Sequence, residues 1–303
     1  MAESSQSTPP SRLAQGLLLY TLGLLVLATL DTLTKVLTVS HHYPVPVVAW
    51  ARYTLQLFLL LAVVTPRMGT QVFRPSRPFP VLVRSLSLVF ATLFLGLALQ
   101  RMPLAESIAL VFTAPLMVVV LAARFLKEPI SLLQVLLALV GFVGVVLIAR
   151  PTGNLDLLGV LFALLCAVST AVYQLLSRSL SQEGPVKLLV HSAWVGSLIF
   201  GVMALFNWGG SPLTPTTLML FLGLGLCAGL GHFLFTLGFQ FAPASIMAPL
   251  SYLQLLFEGI FGFLVFHHLP DALALTGMGV ITLSGVGMAV LGQRAGKWRG
   301  KSP

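Results

Sequence analysis

The stretch Leu97-Ala-Leu-Gln-Arg-Met-Pro103 returns 140 residues later as Leu237-Gly-Phe-Gln-Phe-Ala-Pro243. Leu, Gln and Pro match place for place. The same offset lays Leu110 on Leu250, Leu116 on Leu256, and Phe125-Leu-Lys-Glu128 on Val265-Phe-His-His268. One extra residue near Leu269 shifts the register, and beyond it Gly144 meets Gly285 and Val145 meets Val286. Leucine matches come easily in an apolar chain. The Gln-x-x-Pro match, between corresponding apolar runs, carries more weight and predicts an internal repeat.

The apolar runs around this stretch set the fold class. A helix crosses the hydrocarbon of a bilayer in about 20 residues. Runs of that size are expected at 13–37, 45–64, 79–99, 104–123, 132–149, 156–177, 187–206, 216–236, 241–264 and 272–291, ten in all. The 140-residue period covers five of them. Five is odd, so the second half must lie upside down relative to the first. Such inverted repeats are a construction of secondary transporters, with the substrate site near mid-membrane between the halves. The expectation is an all-α integral membrane protein. It has a first repeat over 13–149, a linker at 150–155 and a second repeat over 156–291. Short polar tails at 1–12 (disordered) and 292–303 (basic) flank the repeats. No alternation of the kind a membrane barrel needs is present.

Composition excludes the soluble alternatives. Hydrophobic residues make up 57% of the 303, charged residues 8%, and the mean hydropathy is +0.98. A soluble domain carries roughly 25% charged residues. The net charge of +9 would suggest nucleic acid in a soluble chain. Here it orients the helices instead, because cytoplasmic loops collect Lys and Arg. With the N-terminus cytoplasmic, the inner loops and tails hold Arg12, Arg67, Arg74, Arg77, Arg124, Lys127, Arg178, Lys187, Arg294, Lys297, Arg299 and Lys301. The outer loops hold only Arg101 and Arg150. Both termini are therefore expected inside, in a cell's inner (plasma) membrane. Cys166 and Cys227 sit in apolar runs and read as small buried hydrophobes.

Charges left inside the spans are costly and mark a cavity or a partner. Asp31 and Lys35 are four residues apart on one helix face, as an ion pair or as cavity lining. Arg52 lies about a third of the way into the second span, with Gln56 one turn further, and its guanidinium suits a carboxylate, either a substrate's or that of Asp31. Arg84 lies nearer the inner interface, where a long side chain can snorkel. Glu258 is central in the ninth span behind Gln254 and Tyr252. Desolvation disfavours a charged carboxyl, which suits a proton carrier. His232 follows Gly225-x-x-x-Gly229, a pattern for close helix packing. Pro115 and Pro249 interrupt spans and free backbone carbonyls. Trp50, Tyr53, Phe112 and Tyr252 are candidates for aromatic walls. The candidate path is thus Asp31, Lys35, Arg52, Gln56, Arg84, His232, Tyr252, Gln254 and Glu258. Three cations against two carboxyls favour a substrate bearing carboxylate. His41, His42, His267 and His268 read as solvated loop residues. No metal or cofactor is expected.

Several of these segments resemble a known family. The run from Arg101-Met-Pro-Leu-Ala-Glu106 through Pro115 to Phe125-Leu-Lys-Glu128 is similar to the fourth span of EamA-type members of the drug/metabolite transporter superfamily. Gly141-Phe-Val-Gly144 with Arg150-Pro151 resembles the fifth span. Phe241-Ala-Pro-Ala-Ser245 with Pro249, Tyr252 and Leu269-Pro-Asp271 resembles the ninth. Asp31, Lys35 and Trp50-Ala-Arg-Tyr53 resemble the first and second. His268 departs from the Glu usual there. The resemblance implies ten helices in two inverted repeats and the movement of small metabolites. The expected function is export of amino acids or amino-acid-derived carboxylates such as an opine-type metallophore. The alternative is import of a riboflavin-like, nucleoside-like or S-adenosylmethionine-like compound. A lipid flippase, or a lipid-processing enzyme, is remote, since neither H-E-x-x-H nor G-x-S-x-G occurs.

Overall fold

A computed structural model describes residues 10–99, 101–102, 107, 110–127, 130–149, 156–266 and 272–299. Among these residues every regular element is helical. The helices are α1 Pro10–Lys35, α2 Val45–Met68, α3 Pro78–Leu99, α4 Ala114–Phe125, α5 Leu132–Ala149, α6 Leu157–Ser179, α7 Pro185–Phe206, α8 Pro215–Phe241, α9 Ala244–Leu250, α10 Tyr252–Phe266 and α11 Ala272–Arg299. A π-helical turn, Val36–Ser40, prolongs α1.

Three helix ends or breaks differ from the expected spans. Pro10 opens α1, which takes in the last three residues of the stretch expected to be a disordered tail. A proline fits the first turn because its missing N–H would be unpaired there anyway. At the other end α11 runs on to Arg299, through most of the expected basic tail. The ninth span is two helices that break at Ser251, two residues after Pro249. Pro249 cannot donate a backbone hydrogen bond, and Ser251 N and Oγ both turn back to Ala248 O. The helical residues Leu110 and Val111 give way to a turn at Phe112 and Thr113, so the span is interrupted just before Pro115. Pro115 itself stands in the first turn of α4 behind Thr113.

Among the described residues seven helices are long and apolar enough to cross a bilayer. Ala114–Phe125, Leu132–Leu147 and Leu275–Gly287 are shorter apolar helices. Half of 104–113, the expected start of the fourth span, lies outside the described residues. The outward surface is apolar, with Leu157 84%, Phe206 83% and Leu132 75% exposed. Water would penalise such a surface. Lipid would not, and the architecture is that of an integral membrane protein.

The helices pair across the sequence rather than with their neighbours. α1 packs most heavily on α8, α3 on α6, α2 on α7, α5 on α11, and α9 on α4. Small residues permit the closest approach. A Cβ at Gly23 of α1 would stand 2.7 Å from the backbone N of Phe235 on α8. Between α5 and α11, Gly141 leaves room for the ring of Tyr252, which a Cβ would meet at 2.5 Å. Within the expected Gly225-x-x-x-Gly229 pattern, Gly225 abuts Leu55 of α2, while Gly229 has only a loose contact with Gln56.

Candidate functional site

The bundle encloses a cavity of about 640 Å³ lined from α1, α2, α3, α4, α6, α8 and α10. It begins at the end where α1 finishes and α2 starts, between Val39, Val45 and Phe266, and descends to Leu27, Tyr173, Phe235 and Ser251. Val39 at the rim is 58% exposed. Below the floor an aromatic stack fills the core. Tyr173 lies parallel to Phe235 at 5.9 Å, and Phe235 meets Tyr20 at 4.7 Å and Phe239 at 5.3 Å.

Six of the nine sequence-expected residues line this cavity: Asp31, Lys35, Arg52, His232, Gln254 and Glu258. The break at Ser251 starts α10 beside the cavity, and Gln254 and Glu258 share one face, four residues apart. Gln254 Nε2 donates to Asp31 Oδ2 at 2.8 Å and to Glu258 Oε1 at 3.0 Å. Gln254 thus bridges the two carboxyls, and Asp31, Gln254 and Glu258 form one hydrogen-bonded unit on the cavity wall.

The cations keep apart from it. Lys35 Nζ sits 4.5 Å over the ring of Phe266, a cation–π contact, rather than on Asp31. Arg52 stacks over Tyr53 at 4.6 Å, and its Nη2 donates to Thr92 Oγ1 at 3.2 Å. Its Nε is buried with no partner. The structure therefore gives neither the Asp31–Lys35 nor the Asp31–Arg52 ion pair. The half-exposed Arg101 and Asp156 form an ion pair at 3.7 Å, outside the cavity lining.

Three expected path residues lie off the cavity lining. Gln56 is buried. Tyr252 turns into the α5–α11 contact with Val145 and Ile281. Arg84 does not snorkel. It is wholly buried beneath the floor and donates from every N–H it has. Nε reaches Ser177 Oγ at 2.8 Å, Nη1 reaches Ser192 Oγ at 3.0 Å and Leu188 O at 3.2 Å, and Nη2 reaches Thr236 Oγ1 at 3.0 Å and Tyr173 Oη at 3.2 Å. A guanidinium has five N–H donors, and all are used. Removing Arg84 from the count leaves two cations and two carboxyls in the cavity.

His232 belongs to both layers. It lines the cavity, and its Nδ1 lies 3.3 Å from Tyr173 Oη. Tyr173 Oη thus stands between the Arg84 guanidinium, which donates to it, and the imidazole of His232.

Of the expected aromatic walls only Phe112 faces the cavity. Tyr53 stacks on Phe200 at 5.6 Å, and Trp50 meets Trp208 edge-on at 6.1 Å. The aromatic lining comes instead from Tyr173, Phe235 and Phe266, which the sequence reading missed. A signal existed for Tyr173. Thr170, Tyr173, Gln174 and Ser177 recur at i, i+3, i+4 and i+7, a polar stripe on the apolar α6. His267, His268 and Glu128 lie outside the described residues. Among the described residues no three His, Cys, Asp or Glu gather as a metal site would require.

The end opposite the cavity mouth is tied shut between distant segments. Glu183 accepts from the backbone N–H groups of Ser76 and Arg77 at 2.9 and 2.8 Å, at the start of α3. Arg178 Nη1 donates to Phe239 O at 2.7 Å, and Gln240 Nε2 to Ser181 O at 2.8 Å. At the mouth end Ser211 donates from N and Oγ to His41 O at 3.1 and 2.8 Å.

With this geometry in hand, the comparisons with known proteins fall into one pattern. The profile of the EamA-like transporter family matches residues 14–150 and again 157–290. A Rickettsia bellii S-adenosylmethionine uptake transporter is 29% identical over 266 residues, 86% of this chain and 89% of its own. A Rhizobium johnstonii riboflavin transporter is 29% identical over 275 residues, 89% of each chain. A Pseudomonas aeruginosa pseudopaline exporter is 26% identical over 286 residues, 91% of this chain and 96% of its own. A solved crystal structure superposes with a TM-score of 0.81 at 20% identity, over 92% of this chain and 99% of that one, and shares the fold.

Proposed function

The chain belongs to the EamA-like transporter family, a multi-pass membrane transporter rather than an enzyme, and from that premise we propose that it exports a small amino-acid-derived zwitterion across the plasma membrane in exchange for protons. The carrying observation is the split character of one cavity. Arg52 offers a buried, unpartnered N–H to a carboxylate. Asp31 and Glu258 offer a carboxyl pair to a cation, and Phe112, Tyr173 and Phe235 offer apolar rings to the rest of the molecule.

The proton and the substrate's ammonium compete for the same carboxyl pair. A site that holds one or the other, but not both, exchanges them. With protons more concentrated outside, such exchange drives the substrate outward. Opine-type compounds and S-adenosylmethionine both carry the amino-acid head this cavity fits. A relative that takes up S-adenosylmethionine and one that exports pseudopaline fit a shared site worked in either direction by its gradients.

The architecture behind this proposal is ten spans in two inverted five-span repeats with both termini cytoplasmic. Two observations support it. The family profile fits twice, over residues 14–150 and 157–290. The helix pairing also survives exchange of the halves. Shifting by five spans turns α1·α8 into α6·α3, and leaves α2·α7 and α5·α11 unchanged. In this frame the cavity opens outward, and Arg84 belongs to the closed inner side.

The test is counterflow in proteoliposomes with labelled S-adenosylmethionine and with an opine, each under imposed pH gradients of both signs. Accumulation against an opposing proton gradient, with riboflavin failing to compete, is the expected result. Indifference to pH would remove the exchange. Transport of riboflavin, with no effect of either amino acid derivative, would overturn the zwitterion.

A further inference from the structure

We propose that Arg84 is a second carboxylate station, hidden in this outward-open state and exposed to the inner half-channel when the carrier turns. The inference rests on the reading of the chain as an alternating-access carrier of a carboxylate-bearing compound.

Arg84 is a fully buried cation whose five hydrogen bonds all go to neutral oxygens. A helix-packing polar residue needs no charge in that place, and a buried charge without a counter-ion is costly. Its position gives the charge a use. The 140-residue offset carries the start of α2, Val45, onto the start of α7, Pro185. It also carries Arg52 onto Ser192 and Thr92 onto His232. Arg52 donates to Thr92. Arg84 donates to Ser192 and, through Tyr173 Oη, reaches His232. The guanidinium of Arg84 thus occupies the inverted image of the place held by Arg52. α3 delivers it where α2 delivers the other.

The hydroxyls around Arg84 come from α6, α7 and α8, all in the opposite half from α3. Parting the halves on the inner side pulls them away and turns five donors toward water. A carboxylate then replaces the hydroxyls with bidentate, charge-assisted bonds. Arg52 takes the substrate on one side of the membrane and Arg84 on the other, with His232 and Tyr173 bridging the two.

Cysteine labelling tests this without knowledge of the substrate. In a chain carrying Cys166→Ala and Cys227→Ala, Thr236→Cys and, separately, Ser177→Cys place a thiol beside Arg84. Inside-out vesicles are treated with a sulfonate-bearing and a trimethylammonium-bearing methanethiosulfonate. Expected is labelling from the inner face, with the anionic reagent favoured about tenfold relative to its rate on free cysteine, as a unit charge a few ångströms away would give. Arg84→Gln should abolish that preference. A thiol inert from the inner face at both positions, or a charge preference that survives Arg84→Gln, would overturn the proposal. If Thr236→Cys does not fold, by its elution profile in detergent, Ser177→Cys decides. Failure of the zwitterion assignment is separate. It would show as absent S-adenosylmethionine and opine transport with the labelling asymmetry intact.

Discussion

Arg52 and Arg84 are both arginines set inside apolar helices, and their surroundings make them opposites. Arg84 has a neutral oxygen on every N–H and no exposed surface. Arg52 has one hydroxyl at 3.2 Å, an aromatic face and a bare Nε. A buried donor without a partner forfeits its hydration. A folded chain tolerates that where a ligand supplies the missing acceptor. A saturated guanidinium braces the structure that surrounds it. In this conformation Arg52 is set to bind, and Arg84 is set to hold.

Substitution separates the two most sharply at Arg52. A hydrogen bond to a charged group is worth about 1.5–3 kcal/mol, and each 1.4 kcal/mol is about tenfold. Arg52→Ala is therefore expected to raise the KM for substrate by about 10- to 100-fold in proteoliposomes. Arg52→Lys should recover only part, because an ammonium lacks the planar fork. The melting temperature in detergent should stay level or rise, since an unsatisfied buried donor is gone. Full transport by Arg52→Ala would show that the bare Nε is no binding site.

Arg84→Ala should invert that profile. Four hydroxyls and a carbonyl lose their donor together, at a cost of about 3 kcal/mol or more. Thermal unfolding monitored in detergent should shift down by several degrees, while substrate binding from the cavity side changes by less than about threefold. A variant as stable as the parent would mean that the five bonds do not brace the inner side. Arg84→Lys is expected to repair little, since an ammonium cannot address five acceptors.

The carboxyl pair gives a third, smaller contrast, because it touches coupling rather than either arginine. A pH step of one unit is worth about 1.4 kcal/mol, or tenfold accumulation. Glu258→Gln keeps a hydrogen-bonding group beside Gln254 but removes the exchangeable proton. Transport in this variant should run downhill and ignore the imposed gradient, losing that tenfold. Accumulation unchanged in Glu258→Gln would place the coupling elsewhere.

Much of this was legible in the sequence, and the rest fails for identifiable reasons. Apolar runs and punctuating Pro and Gly placed most of the long helices to within a few residues, because length in lipid is fixed by bilayer thickness, but not the end of α11 or the break at Ser251. Charges out of place found Asp31, Lys35, Arg52 and Glu258, because a bilayer tolerates such groups only at a cavity or a partner. They misplaced Arg84, since depth along a helix says nothing about which face a side chain takes. Tyr252 and Gln56 went astray for the same reason. Tyr173 and Phe235 were overlooked because aromatics are ordinary in apolar helices, and only the polar stripe on α6 marks one of them. The absence of the Asp31–Lys35 pair was beyond reach. Four residues of spacing permits contact, but Phe266, from a distant helix, takes the ammonium instead.

The smallest expected effect compares single hydroxyls under each arginine. Thr92 holds the one hydrogen bond of Arg52, and Tyr53 Oη lies 3.2 Å from the same oxygen. Thr236 holds one of five for Arg84. Valine replaces threonine with nearly the same shape and removes the acceptor. Thr92→Val frees the Arg52 fork from its anchor while leaving its charge in place. The substrate carboxylate then has to order the side chain, at about 0.5–1.5 kcal/mol, so KM should rise about two- to tenfold with the melting temperature unmoved. Thr236→Val leaves Arg84 four partners and one unsatisfied N–H. It should lower the melting temperature by a degree or two and leave the KM for substrate entering from the cavity side alone. Equal effects from both valines on the same observable would erase the distinction between a binding arginine and a bracing one, because the number of bonds each guanidinium makes would then have no bearing on what it does.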